Sequence, residues 1–286
     1  MKLEPGIYPG VSFADYMKWD AVNNSLLKIL AKKSPLHAKA FIERPPAPSD
    51  AFIFGKAVHC LILEPDLFEN YYAVAPKCDR RTKVGKELWA AFLKNANGKE
   101  AVTYDNYAKM REIQAAIKRQ AMNHYVERGE AEVCYVWIDE ATGLLCKART
   151  DYLHRELYED GWKTNKVILI DLKSTMDASP HAFFRSLDIY DYDMQAAWYT
   201  DGWEVVDGKI PQFVFFPIEK EYPFAPAAYE IPDEIIQAGR NKYRAALNCY
   251  AECVKTNIWP GYGNTIKVLD APDWWLKQHG VHEFNL

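Results

Sequence analysis

An α/β fold, in which a central mixed sheet with an antiparallel meander is flanked by helices, is predicted for this 286-residue chain by three observations. Residues 131–139, 144–153 and 167–174 are short runs rich in aliphatic, β-branched and aromatic side chains, each bounded by turn-forming residues. Residues 233–257 and several shorter stretches mix charged and apolar residues in the manner of amphipathic helices. The composition, 49% hydrophobic, allows a substantial core in one large domain.

Taken in order, the Pro-rich stretch Arg44-Pro45-Pro46-Ala47-Pro48-Ser49 reads as a loop between two helical segments. The second segment, residues 51–65, is largely apolar and closes at Pro65, which has no N–H to continue a helix. His59 lies within it. An imidazole there is either a core side chain holding one backbone hydrogen bond or a metal ligand. Helices are expected over 86–94 and 106–124, covering one side of the sheet. The first strand, 131–139, turns at Glu140-Ala141-Thr142-Gly143 into the second, 144–153, and the third is 167–174. A helix over 181–203 begins beyond Pro180. A further strand over 211–218 and a long amphipathic helix over 233–257 complete the scaffold. The nine tryptophans are scattered, and core packing or subunit contact suits them better than sugar binding.

The chemistry concentrates on the meander. Val167-Ile168-Leu169-Ile170 runs directly into Asp171-Leu172-Lys173. Strand alternation puts Asp171 and Lys173 on one face and returns Leu172 to the core. Charges at the end of a buried run need partners, because desolvating them alone is costly. A structural ion pair at a strand terminus is one reading; a site for a divalent cation is the other. Asp151, near the end of the preceding strand, favours the cation, since carboxylates on adjacent strands can share one ion. Glu132 in the first strand is an auxiliary candidate for the same face. Gln195 and Tyr199, four residues apart in the following helix, stack on one helical face.

Gly55-x-x-x-His59 with Leu63-Glu64-Pro65, then Asp151, then Asp171-Leu172-Lys173, then Gln195-x-x-x-Tyr199, resemble in order and spacing the PD-(D/E)xK nuclease superfamily. Within it the chain looks most like the RecE-type exodeoxyribonucleases (the exodeoxyribonuclease VIII nuclease domain), related to phage lambda exonuclease and the RecB nuclease domain. Asn24-Ser25-Leu26-Leu27, Ser34-Pro35-Leu36-His37, Asp79-Arg80-Arg81-Thr82-Lys83 and Tyr192-Asp193-Met194-Gln195 also fit. The resemblance covers roughly residues 20 to 275. One departure is Arg149-Thr150-Asp151, where the family often has Pro before the first acid. Proline there is a backbone preference and not a ligand.

The resemblance implies a restriction-endonuclease-like fold in a single domain over 1–286, with a helical part to about residue 125, a catalytic sheet core to about 220 and a helical remainder. It implies a catalytic set of Asp151, Asp171, Lys173, Gln195 and Tyr199. Mg2+, replaceable by Mn2+, would be held by His59, Asp151, Asp171 and the main-chain carbonyl of Leu172. Lys173, its pKa lowered by the dication, would orient or deprotonate a water. Ser25 and Lys28 would contact a 5′-phosphate. The implied reaction is 5′ to 3′ hydrolysis of one strand of linear duplex DNA, leaving 3′ overhangs for a single-strand annealing protein in phage or bacterial recombination and repair. A ring-shaped homo-oligomer is implied as well. Some relatives carry a four-cysteine iron-sulfur cluster, but the six cysteines here include no C-x-x-C pair, so no cluster is expected.

With 35 basic against 39 acidic residues the net charge is -4, so phosphate binding must rest on local clusters. Lys28, Lys32, Lys33 and Lys39 form one, and Lys77, Arg80, Arg81, Lys83 and Lys86 another. The second suits a flexible loop on a DNA backbone, with Arg80, Arg81 and Lys83 as candidate contacts. There is no hydrophobic leader at Met1-Lys2-Leu3-Glu4 and no apolar run of membrane-spanning length, so a cytoplasmic location without membrane attachment is expected. A structure-selective endonuclease with the same site, a noncatalytic DNA-binding scaffold and a glycosidase with paired acids are the competing functions. Closed circular DNA as substrate, binding without Mg2+, and metal-independent activity would separate them.

Overall fold

Alternating apolar residues build a six-stranded sheet about which the helices of this computed structural model pack; it describes residues 3–120, 122–155, 157–159, 162–164 and 166–281. The N-terminal elements are β1 (Gly6–Tyr8), α1 (Phe13–Lys18), α2 (Asn24–Lys32), α3 (Pro35–Glu43), α4 (Asp50–Leu63), α5 (Phe68–Tyr71) and β2 (Tyr72–Val74). Next come α6 (Lys83–Asn95), β3 (Glu100–Val102), α7 (Tyr104–Arg119), β4 (Glu130–Ile138), β5 (Leu145–His154), β6 (Leu157–Glu159) and β7 (Trp162–Thr164). The chain continues with β8 (Ile168–Thr175), α8 (Pro180–Ile189), α9 (Tyr192–Asp207), β9 (Gln212–Glu219), β10 (Tyr229–Glu230), α10 (Asp233–Thr256) and α11 (Asp273–Gln278). Helix starts carry the residues that satisfy free N–H groups: Asn23 accepts from Leu26 at 2.9 Å, Ser49 from Phe52 at 3.2 Å and Thr82 from Gly85 at 3.0 Å.

The sheet runs β1-β4-β5-β8-β9-β10. Every neighbouring pair is antiparallel except β8 and β9, which run parallel from Ile168↔Gln212 to Thr175↔Glu219. Its two faces follow strand alternation in β8 and β9, while β5 changes phase between Ala148 and Leu153. Val133, Tyr135, Ala148, Leu153, Leu169, Phe213 and Phe215 pack with residues of α2, α9 and α10. Tyr152, Ile168, Ile170, Leu172, Val214 and Phe216 pack with residues of α4 and α7.

The register opens a gap in the middle of the sheet. β5 pairs with β8 only at Tyr152↔Ile170, Leu153↔Leu169 and His154↔Ile168, while β4 and β5 stay paired from Glu130↔Leu153 to Ile138↔Leu145. Beyond Ile170, the strand paired with β8 is β9. The first part of β5 and the second part of β8 therefore border a cleft, with α4 on one side and α9 on the other.

The expected mixed sheet with its antiparallel meander is present, and the strands predicted over 131–139, 144–153, 167–174 and 211–218 appear as β4, β5, β8 and β9. The helix expected over 181–203 is two helices. Asp191 adopts a left-handed φ of 48°, and its carboxylate is held 2.9 Å from Lys32 and 3.5 Å from Lys242, so the chain turns there and α9 starts anew. The helix expected over 106–124 ends at Arg119, and a short 3-10 turn follows at Asn123–Tyr125. Edge strands β1 and β10 and the β6/β7 hairpin were not foreseen; strands of two or three residues carry too little periodicity to read.

Candidate functional site

Asp151, Asp171 and Lys173 line the cleft because the strands that carry them part there. Extending the β5/β8 register by one residue would pair Asp151 with Asp171. Instead the backbone N–H of Leu172 donates to Asp151 Oδ2 at 2.7 Å. The Asp151 carboxylate therefore replaces the lost ladder bond and ties the diverging strands together. Leu172 is buried, and its carbonyl, the expected ligand, belongs to the same backbone stretch.

His59 approaches from α4, its Nδ1 3.3 Å from Asp151 Oδ2. Burial alone would lower the imidazole pKa, but Asp151 beside it raises it above the ordinary value. Burial works against charge on Asp151 too, yet His59, Lys173 and the Leu172 N–H together hold its carboxyl below the usual range. Glu132 completes the group: among the described residues, one ligand atom each from His59, Glu132 and Asp151 lie within 4.8 Å of one another. The structure thus brings the auxiliary candidate Glu132, and not Asp171, into the closest set with His59 and Asp151.

Glu132 stands opposite Asp151 between the pairs Ala131↔Tyr152 and Val133↔Thr150, but it leaves the ladder with a φ of +55°. A non-glycine residue held there costs about 1–3 kcal/mol, which marks the position for a functional reading. Its carboxylate accepts from Arg149 Nε at 2.5 Å, and Arg149 also donates to the carbonyl of Val11 at 2.9 Å. Burial and Asp151 raise the Glu132 pKa, while Arg149 and His59 oppose them.

Asp171 is 1% exposed and sits beside Lys173 Nζ, while Gln195 of α9 bridges the two. The Gln195 amide donates to Asp171 Oδ1 and its carbonyl accepts from Lys173 Nζ at 3.2 Å. Burial pushes the Asp171 carboxyl up to about 6, against the pull of Lys173. Burial disfavours the Lys173 ammonium as well, but Asp171, Tyr192 and Asp151 hold it above the ordinary lysine range. Asp171 and Asp151 both face the amine, which is why its pKa lies above the ordinary range. Lys173 Nζ lies 4.8 Å from the Tyr192 ring centroid and Lys28 Nζ 5.3 Å from it, so Lys28 belongs to the rim of the cleft. Burial and the nearby Lys173 bring Lys28 down to about 7.

Other candidates lie elsewhere or act otherwise. Tyr199 packs its ring against Tyr135 and Phe213, and its carbonyl accepts from the Tyr135 hydroxyl at 2.9 Å. Gln195 alone of that helical pair hydrogen-bonds to Lys173 and Asp171, because one turn along α9 already lies over the aromatic core. Ser25 is exposed on α2. In the basic run, Arg81 pairs with Asp79 at 2.9 Å, Arg80 lies over the Trp89 ring at 4.5 Å and Lys83 is exposed at the start of α6. Arg149 and Tyr192 were overlooked. Their signal was positional: Arg149 is two residues before Asp151 on the same strand face, and Tyr192 is three before Gln195 on the same helical face.

No curated protein matches the chain. Among solved structures it is similar to a "Putative exonuclease" from Eubacterium rectale, with a TM-score of 0.58 at 14% identity over 95% of this chain and 98% of that one, which shows a shared fold. A phage related exonuclease from Haemophilus somnus 129PT gives a TM-score of 0.34 at 15% identity over 85% of this chain and 99% of that one, a level from which no shared fold follows. Residues 23–272 match the family described as PDDEXK-like domain of unknown function (DUF3799). That stretch contains His59, Glu132, Asp151, Asp171, Lys173 and Gln195, and the chain belongs to this PDDEXK-like family.

Proposed function

We propose that the protein is a divalent-metal-dependent exonuclease acting on the ends of linear double-stranded DNA, with the cleft between β5 and β8 as its active site. The observation that carries this reading is the convergence of His59, Glu132 and Asp151 within 4.8 Å of one another, beside the Asp171, Lys173 and Gln195 triad. Two half-buried carboxylates on neighbouring strands with an imidazole beside them make a donor set that fits a cation, since such charges need compensation. Oxygen-rich ligation suits Mg2+ or Mn2+. His59, Asp151 and Glu132 would hold the ion, with Asp171 and the Leu172 carbonyl adjoining. Bound there, it would offset charge on the scissile phosphate and acidify the attacking water.

The residues of the chain supply the rest. Lys173 is within reach of any water or phosphate oxygen that enters beside Asp171, and its ammonium donates to such an oxygen. With a cation offsetting the Asp171 charge, the Lys173 amine would lose the pull that raises its pKa and would be able to accept a proton from the water. Gln195 restrains both partners through one amide, which fixes the direction of the Lys173 donor. Lys28, with Tyr192 between it and Lys173, would contact a phosphate of the bound strand, and the exposed Ser25 lies on the same helix.

By the family resemblance, degradation proceeds 5′ to 3′ and leaves a 3′ overhang for an annealing protein, from a ring-shaped homo-oligomer working in the cytoplasm. Among the described residues no helix is long and apolar enough to cross a membrane. The test is digestion of linear duplex labelled at the 5′ or the 3′ end, with Mg2+ or EDTA, by wild type and Lys173→Ala. Mg2+-dependent release of 5′ label as mononucleotide, lost in the variant, is the expected result. Cleavage of closed circular duplex would instead indicate the endonuclease, and no cleavage with any divalent metal would indicate the noncatalytic scaffold.

A further inference from the structure

Arg149 has no place in the reaction outlined above, yet it is hydrogen-bonded to Glu132, one of the three residues that converge in the cleft. It leaves β5 on the same face as Asp151, donates from Nε to Glu132 Oε2 at 2.5 Å, and donates from its guanidinium to the Val11 carbonyl at 2.9 Å. Both members of the pair are largely shielded, with side-chain exposures of 11% for Arg149 and 16% for Glu132. Phe13 stacks near the guanidinium at 5.7 Å, and the same ring lies 4.7 Å from Lys56 and 6.3 Å from the Phe52 ring, both on α4. Residues 11–19 therefore form a strap joining β5 to the helix that bears His59. Lys147 fastens its far end, donating to the carbonyls of Tyr16 at 2.9 Å and Trp19 at 2.7 Å.

Glu132 is the member of this trio that the backbone alone would not hold, since it sits at φ +55° in a strand and faces a second carboxylate across the ladder. We infer that Arg149 is the positioning residue for Glu132, holding it as the third protein ligand of the divalent cation, and that the 11–19 strap in turn fixes Arg149. The planar guanidinium suits this task because one N–H takes a single carboxylate oxygen while another is anchored on the backbone, leaving the second oxygen of Glu132 for the cation. A hydrogen-bonded carboxylate ligand is oriented by its outer partner, and loss of such a partner typically lowers metal affinity about 10- to 100-fold.

The inference rests on the cleft being a cation site, and the experiment separates the two. Mn2+ binding is measured directly, by electron paramagnetic resonance of the free ion and by calorimetry, without DNA or turnover. The proteins are wild type, Arg149→Gln, Arg149→Lys, Glu132→Gln and the Arg149→Gln/Glu132→Gln double variant, each with its fold checked by circular dichroism. The expected result is weakening of about 10- to 100-fold in Arg149→Gln, partial recovery in Arg149→Lys, and no further weakening when Arg149→Gln is added to Glu132→Gln. That last comparison distinguishes positioning from general damage to the strand, which would weaken binding in both backgrounds. Wild-type affinity in Arg149→Gln or in Glu132→Gln overturns the inference and leaves the cation site standing. Absence of Mn2+ binding in wild type overturns the cation site and this inference together.

Discussion

The backbone N–H of Leu172 donates to Asp151 Oδ2 at 2.7 Å, so the first acid of the site is bonded to the strand that carries the other two charged groups. A side chain takes over where the β5/β8 ladder stops. The same oxygen faces His59 at 3.3 Å, which couples the strand separation to the imidazole on α4.

Replacing Lys173 should leave the fold and cation binding intact while removing the group that orients or deprotonates the water. Cleavage of linear duplex by Lys173→Ala is expected to fall about 100- to 10,000-fold, the range typical of a general acid or base. Mn2+ affinity should change little. Wild-type rates in a folded variant would show that the chemistry lies elsewhere.

Gln195 and Tyr199 should behave differently despite sharing a helical face. Gln195→Ala leaves buried Asp171 and Lys173 without their bridge, so a stability loss of about 1–3 kcal/mol is expected, together with reduced cleavage. Tyr199→Phe keeps the ring contacts with Tyr135 and Phe213 and should retain most activity. Denaturant unfolding and initial rates on the two variants check both statements.

Proton and cation compete at Asp171, whose carboxyl is raised to about 6 by burial. Mn2+ affinity should therefore fall as pH drops through about 6, and Asp171→Asn should blunt that part of the dependence. For the metal-free protein the sign is fixed by the same shift: the fold favours protonated Asp171, so this group's contribution to stability declines as pH rises from its ordinary value near 3.8 to about 6. Asp151, held low, contributes in the opposite sense and loses its contribution as pH falls through its folded value. Binding isotherms from pH 5 to 8 and melting in EDTA over pH 4 to 7 measure the two effects.

His59 is raised above its ordinary value of 6.5 by Asp151, so near neutral pH part of the imidazole carries a proton that a cation must displace. Mn2+ binding at pH 7 should release protons. Calorimetry in buffers of differing ionisation enthalpy should show it for wild type, with a smaller release in His59→Gln.

Gly239 lets α10 lie directly against the start of α9, because a Cβ there would sit 2.0 Å from the carbonyl oxygen of Asp193. Gly239→Ala should cost about 1–3 kcal/mol through overpacking and displace the helix that carries Gln195, lowering both melting temperature and cleavage.

The sequence by itself determined the four main strands and the candidate catalytic residues on them. Period-two alternation places Asp171 beside Lys173 on one face and Leu172 on the other, and apolar runs bury the strands whatever surrounds them. Only the tertiary structure decided which of those charges meet. The parting of β5 from β8 is a register event between segments separated by a hairpin, and it is what lets His59 from one side of the sheet and Gln195 from the other enter the same cleft. The break at Asp191 depends on ion pairs to Lys32 and Lys242, more than 50 residues away in either direction, and local helical periodicity cannot register it. Glu132 was a weak candidate in the sequence, since one acid in a strand has no distinguishing pattern. Its left-handed backbone and the Arg149 side chain that holds it arise from pairing with β5 and from the strap over residues 11–19, because electrostatic partners are chosen by proximity in space and not along the chain.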